Sequence, residues 1–261
     1  MTAFLPLDTD PTTLVCGDRG AGLLLVHGGG SDPVTDFGHV LDGLAARYRV
    51  AATHFPGSGP APRATRPLQL DDLVDLQVAA ADRAGLGTFS VAAFSMGCPV
   101  AIRLAARHPA RVRALVLVAG FARPDTRLQL LVRIWRDLLV SGDRARLADF
   151  VLSAAGDEEA LDHLQEAELA LRLKTLAARL PDCLDEHLEL IQRIDVRADL
   201  SRVSVPTLVV AGTRDRLATT RHSRAMAKGI PGAFYTEVSC GHTPIAERPD
   251  ELLDLLTGFV S

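Results

Sequence analysis

Six short apolar runs, at 23–27, 49–54, 89–94, 114–119, 206–212 and 233–238, recur along the 261 residues with longer stretches between them. Each is too short for a stable helix, and apolar residues fill consecutive rather than alternate positions, the pattern of a strand buried on both faces. Between and after them, segments at 37–47, 70–84, 95–107, 219–228 and 247–260 carry their apolar residues at helical spacing. Strand and helix in alternation give an α/β architecture: a mostly parallel sheet flanked by helices. Thr12 to Cys16 adds a candidate antiparallel edge strand, which Gly17 ends.

From 121 to 200 the alternation stops. Leu, Ala, Arg and acidic residues recur at helical spacing with no strand-like run, and Gly142, Gly156 and Pro181 stand at plausible helix ends. The chain is therefore expected to leave the sheet after Ala119, build several helices and return at Pro206. This predicts a core made of 1–120 and 201–261 and a helical insertion over 121–200.

Charge and cysteine usage exclude several classes of function. Lys and Arg (28) are interspersed among Asp and Glu (32), for a net charge of −4, so no basic face is expected to capture nucleic acid. No apolar run approaches the ~20 residues of a membrane span, and the first ten residues lack the pattern of a secretory leader. A cytoplasmic protein is expected, with no membrane partner. Cys16, Cys98, Cys183 and Cys240 form no C-x-x-C pair and have no histidine at ligand spacing, so free thiols, no metal and no cofactor are expected.

Four pieces carry chemistry. Ala93-Phe94-Ser95-Met96-Gly97 follows a strand and opens a helix, where a sharp turn would expose the Ser95 hydroxyl and aim the first helical N–H groups at nearby negative charge. His27-Gly28-Gly29-Gly30 follows another strand, and its glycines let the backbone come close to a substrate. A phosphate-binding turn of the G-x-G-x-x-G kind would need glycine where Pro33 stands. Gly212-Thr213-Arg214-Asp215 ends a third strand, and Gly241-His242-Thr243-Pro244 follows the last. Ser95, Asp215 and His242 thus arrive in the order nucleophile, acid, base, each after its own strand. The N–H groups of Met96 and Gly29 are the candidate oxyanion donors.

On these motifs the chain resembles the α/β-hydrolase superfamily over nearly its whole length, as a serine-nucleophile member with a helical cap. His54-Phe55-Pro56-Gly57-Ser58-Gly59 resembles the family's D-x-P-G-x-G loop, with histidine replacing aspartate, and Val205-Pro206-Thr207 resembles its V-P-T strand opening. Ala93 replaces the first glycine of G-x-S-x-G. The resemblance implies that 121–200 covers the sheet and shapes a pocket to which Gly28, Phe121 and Trp135 contribute. Arg133 and Arg136 flank Trp135 and fit either a carboxylate site or a solvated helix face. The implied activity is hydrolysis of an ester or thioester through an acyl-Ser95 intermediate, on a small acyl substrate that is free or carrier-bound. An acyltransferase using an amine, alcohol or thiol acceptor, and a ligand-binding protein that keeps the fold without turnover, are the alternatives.

Overall fold

The computed structural model describes residues 4–7, 10–181 and 184–260, so Cys183 lies outside the described residues. Its strands are β1 (Leu5–Leu7), β2 (Asp10–Cys16), β3 (Gly22–Val26), β4 (Arg49–Thr53), β5 (Phe89–Phe94), β6 (Val112–Val118), β7 (Thr207–Gly212) and β8 (Phe234–Val238). They form one sheet in the order β1-β2-β4-β3-β5-β6-β7-β8. β1 and β2 pair antiparallel at one edge, and every pairing from β4 to β8 is parallel. The chain goes from β3 to β4 on one side and then crosses to β5 on the other. At such a reversal the loops at the carboxyl ends of the strands diverge and leave a crevice.

The central strands justify their continuous apolar runs by being covered twice. Leu24 and Val26 face one apolar cluster with the helices Leu70–Arg83 and Gly97–Arg107. Leu23 and Leu25 face another with Phe37, Leu44, Leu252 and Leu256. All of these side chains are buried, and each such Leu or Phe contributes about 1.5–3 kcal/mol of transfer free energy.

Several boundaries differ from the sequence reading for local reasons. The expected helix 37–47 is two short helices, Pro33–Phe37 and Leu41–Ala45, because the N–H groups of Val40 and Leu41 bond three residues back, to Phe37 and Gly38, and tighten the chain into a turn. The expected helix 247–260 is Pro244–Glu247 and Pro249–Phe259, broken at Arg248 (φ −139°, ψ 58°), which the following proline disfavours in the helical region. Leu5–Leu7 is an added edge strand whose three residues carried too little pattern to be read.

Between β6 and β7 run the helices Thr126–Ser141, Arg144–Ala155, Glu158–Asp162, Glu166–Arg179, Leu184–Arg193 and Arg197–Leu200. Asp125, Asp143 and Asp157 cap three of them with carboxylate oxygens that accept N–H groups of Leu128, Arg146 and Glu159. Arg136 holds Asp185 through two hydrogen bonds of 2.6 and 3.1 Å and so clamps two of these helices together; it is not available as a free carboxylate receptor. Leu128, Val132, Leu184 and Leu188 from this segment belong to the same apolar cluster as β3 and β5, so sheet and inserted helices share one core.

Candidate active site

Ser95 sits at the end of the fully buried β5, and its φ of +52° puts it in the left-handed region that non-glycine residues rarely occupy. The helix therefore starts at Gly97 and not at the serine. Two contacts hold the strained turn. The Ser95 N–H donates to Val118 O at 2.9 Å, and Gly97 lies so close to β3 that a Cβ would come within 2.3 Å of Val26 O. Such an elbow costs on the order of 1–3 kcal/mol, borne by the buried strands on either side. Ala93, where glycine was the expected residue, is fully buried among those strands.

The Ser95 hydroxyl meets His242 Nε2 at 3.0 Å, and His242 Nδ1 meets Asp215 Oδ2 at 2.8 Å. The other oxygen of Asp215 accepts the N–H groups of Leu217 and Ala218 at 2.7 and 2.9 Å, so the carboxylate is fixed in direction. Burial disfavours the imidazolium of His242. The charge of Asp215, its hydrogen bond and the charges of Asp36 and Glu247 outweigh that and hold the pKa above its ordinary value. Asp125, which follows β6, takes no part in this chain of contacts: it caps its helix and faces His222 at 3.5 Å.

The loops bearing Asp215 and His242 are fastened to the inserted helices. The His242 N–H donates to Ala155 O at 2.8 Å, and Gly241 is pressed so near that a Cβ would lie 2.7 Å from Asp157 N. Arg214, next to Asp215, donates through Nε to Asp157 Oδ1 at 2.7 Å and through a second nitrogen to Oδ2. Glu247 accepts from the Gly241 N–H at 2.7 Å and from the Thr243 hydroxyl at 2.7 Å.

The glycine loop is held with equal care. The Gly28 N–H donates to Asp36 Oδ2 at 2.7 Å, and the Gly30 N–H donates to His187 Nδ1 at 2.9 Å. With Nδ1 accepting, the proton of His187 lies on Nε2 and is donated to Pro56 O at 3.1 Å. Burial pushes His187 down to about 4 and holds His27 well below its ordinary value, so both rings are neutral. His27 completes the brace, since its Nε2 accepts the Phe55 N–H at 2.9 Å and its ring lies 4.2 Å from that of Phe55. No hydrogen bond among the described residues uses the N–H of Gly29 or Met96.

Ser95 and His242 open into a cavity of about 820 Å³ whose lining includes Gly29, Phe121 and Trp135. Gly28 does not line it: its N–H is turned to Asp36, and a Cβ there would come within 3.1 Å of the Phe94 ring. His54 is also outside it, buried against Gly59. The sequence reading missed Asp36, His187 and the Arg214–Asp157 pair, because isolated charged residues in loops and amphipathic helices carry no signal of what they will face. Cys16, Cys98 and Cys240 are buried free thiols, and among the described residues no group of three or more His, Cys, Asp or Glu side chains is disposed to hold a metal. No helix among the described residues is long and apolar enough to cross a membrane.

Residues 23–249 match the alpha/beta hydrolase fold family. The chain belongs to that family. This hydrolase is 30% identical over 244 residues to a pyrrolizixenacetamide deacetylase of Xenorhabdus hominickii, covering 93% of this chain and 91% of the other. It is 31% identical over 251 residues to a pimeloyl-acyl-carrier-protein methyl ester esterase of Nitrosomonas europaea, covering 90% and 94%. Among solved structures it is similar to the enol-lactonase of Burkholderia xenovorans LB400, with a TM-score of 0.81, 23% identity and 95% of each chain covered, a likeness of fold. The hydrolase is an enzyme, of the kind that processes acyl groups through a serine.

Proposed function

We propose that Ser95 is the nucleophile, His242 the base and Asp215 the residue that orients the base. The observation that carries this reading is the unbroken chain of contacts from Asp215 Oδ2 through both nitrogens of His242 to Ser95 Oγ, at 2.8 and 3.0 Å. Ser95 Oγ attacks the acyl carbonyl as its proton passes to His242 Nε2, and Asp215 stabilises the imidazolium. The carbonyl oxygen takes up negative charge between the N–H groups of Met96 and Gly29, which have no other partner among the described residues. Collapse breaks the bond to the leaving group, which receives the proton held by His242. Water then attacks acyl-Ser95 by the same route and releases the acid.

Residues 121–200 act in this reading as a cap and 1–120 with 201–261 as the catalytic core, with Phe121 and Trp135 lining an acyl-binding chamber between them. Exposed Thr35 and Arg172 both line the cavity, so it opens to solvent and admits water to acyl-Ser95, which favours hydrolysis over acyl transfer. The substrate is an ester or thioester with an apolar acyl part, small or carrier-borne, met in the cytoplasm.

The test is intact-protein mass after brief exposure to an activated aryl ester, quenched in acid, for the native chain and Ser95→Ala. An added acyl mass present only in the native chain is expected. An adduct of equal yield in Ser95→Ala, or none in either folded protein, would sink the assignment.

A further inference from the structure

The cavity has two unlike walls. Under the inserted helices it is mainly apolar, with Leu128, Val132, Val151, Leu176 and Leu188, although Arg172, Thr175 and Arg179 of one helix also line it. Beside His242 it is polar, with Ser31, Thr35, Asp36 and Thr243. Given acyl-Ser95 chemistry, on which this inference rests, the walls divide the substrate. The carbonyl oxygen is fixed toward Gly29 and Met96, and an apolar acyl chain takes the apolar wall. The leaving atom must receive its proton from His242 Nε2, so it lies against the polar one.

Two carboxylates, Asp32 and Asp36, line the cavity, and the oxygens of Asp32 accept the N–H groups of Val34 and Thr35 and the Thr35 hydroxyl. Asp36 stands on the His242 side: its charge acts on the His242 ring, its Oδ2 lies 2.7 Å from Gly28 N, a Cβ on Gly28 would come within 3.1 Å of the Phe94 ring, and that ring is 5.2 Å from His242. Each oxygen accepts one hydrogen bond, Oδ2 from Gly28 and Oδ1 from the Ser31 hydroxyl at 2.6 Å. An ionised carboxylate offers about four acceptor sites, so about two remain for a ligand. Burial pushes the Asp36 pKa up to about 6, against the Ser31 and Gly28 hydrogen bonds, and above that pH the group is an acceptor only.

An ester oxygen brings only lone pairs to this wall, whereas the nitrogen of a secondary amide brings an N–H. We propose that Asp36 is a leaving-group recognition residue and that the site cleaves secondary amides, the N–H of the departing amine donating to the Asp36 carboxylate. That hydrogen bond turns the nitrogen lone pair toward His242 Nε2. The C–N bond breaks as Ser95 Oγ holds the acyl carbon, the proton taken from Ser95 passes from His242 to nitrogen, and the amine leaves neutral. Asp36 neither gains nor loses a proton, and water regenerates Ser95.

The experiment compares 4-nitrobutyranilide with 4-nitrophenyl butyrate, which share an acyl group, at pH 8 with the full chain and Asp36→Asn. Native enzyme is expected to release nitroaniline, and Asp36→Asn to lose at least about tenfold more kcat/KM on the anilide than on the ester, the scale of a hydrogen bond to a charged group. Equal losses on both substrates would reduce Asp36 to a brace for the glycine loop and overturn the proposal. So would native enzyme that is acylated by the ester yet releases no nitroaniline, whereas absent acylation by the ester would instead fault the assignment of Ser95. If the variant does not fold, the native enzyme is assayed on the N-methyl anilide, with rates divided by those in hydroxide. A relative loss of tenfold or more supports the N–H contact, and parity refutes it.

Discussion

Replacing Arg214 with Met would leave Asp157 as a buried charge without its cation. The Asp157 side chain is 3% exposed and that of Arg214 16%, so the pair lies largely out of water but touches solvent on the Arg214 side. Removing one partner of a buried pair costs about 3–5 kcal/mol, and the wet side argues for the lower end, about 3 kcal/mol. For a chain of this length each kcal/mol moves Tm by about 2–4 °C, so a fall of about 6–12 °C is expected in calorimetry at neutral pH. The loss should also depend on pH with a defined sign. Arg214 holds the Asp157 carboxyl below its ordinary value of 3.8, so the pair's contribution is complete above about that pH and fades as pH falls through the lower folded value. Because Arg214 adjoins Asp215, activity should fall along with stability. A Tm within 2 °C of native together with full activity would refute the claim that this pair anchors the acid loop.

Three further outcomes follow from the same physics. Gly97→Ala should lose at least about 1–3 kcal/mol in denaturant unfolding or fail to fold, since the new Cβ meets backbone oxygen at 2.3 Å; an unchanged midpoint would mean the elbow can relax. Because Asp215 and its neighbours raise the His242 pKa, the ascending limb of kcat/KM against pH should have its midpoint above 6.5, and Asp215→Asn should move that midpoint down while lowering the rate; an unmoved midpoint in the variant would assign the limb to another group. His187 titrates near 4 in the fold and near 6.5 when unfolded, so its neutral form stabilises the protein fully above about 6.5 and progressively less toward pH 4, by about 3 kcal/mol at the end of that window. His187→Gln should flatten the native slope of stability between those pH values, and a parallel slope would show that other groups carry it.

What the sequence made legible followed from how much local pattern each feature needs. β3, β5 and β7 are covered on both faces, so their apolar runs are continuous and announce themselves. Ser95, Asp215 and His242 were legible as candidates because each follows a strand, β5, β7 and β8 in turn, in a glycine-bearing segment, and Gly97 and Gly241 are pressed against neighbouring backbone. Asp36 was unreadable: it is one acid in a short helix, and its meaning comes from Gly28, eight residues back, and from His242, across the chain. His187 was hidden in the same way, 157 residues from the Gly30 amide it accepts. The break at Arg248, in contrast, has a local sign in Pro249, which helical spacing alone does not register.

The Ala155 carbonyl that receives the His242 N–H has a consequence for anyone reshaping the enzyme. Exchanging the inserted helices between relatives to alter which acyl groups are accepted would treat them as interchangeable parts. Here the exchanged part carries one fixed point of the backbone of His242, the proposed base, so a transplanted segment that misplaces that single carbonyl is expected to lose turnover whatever it binds.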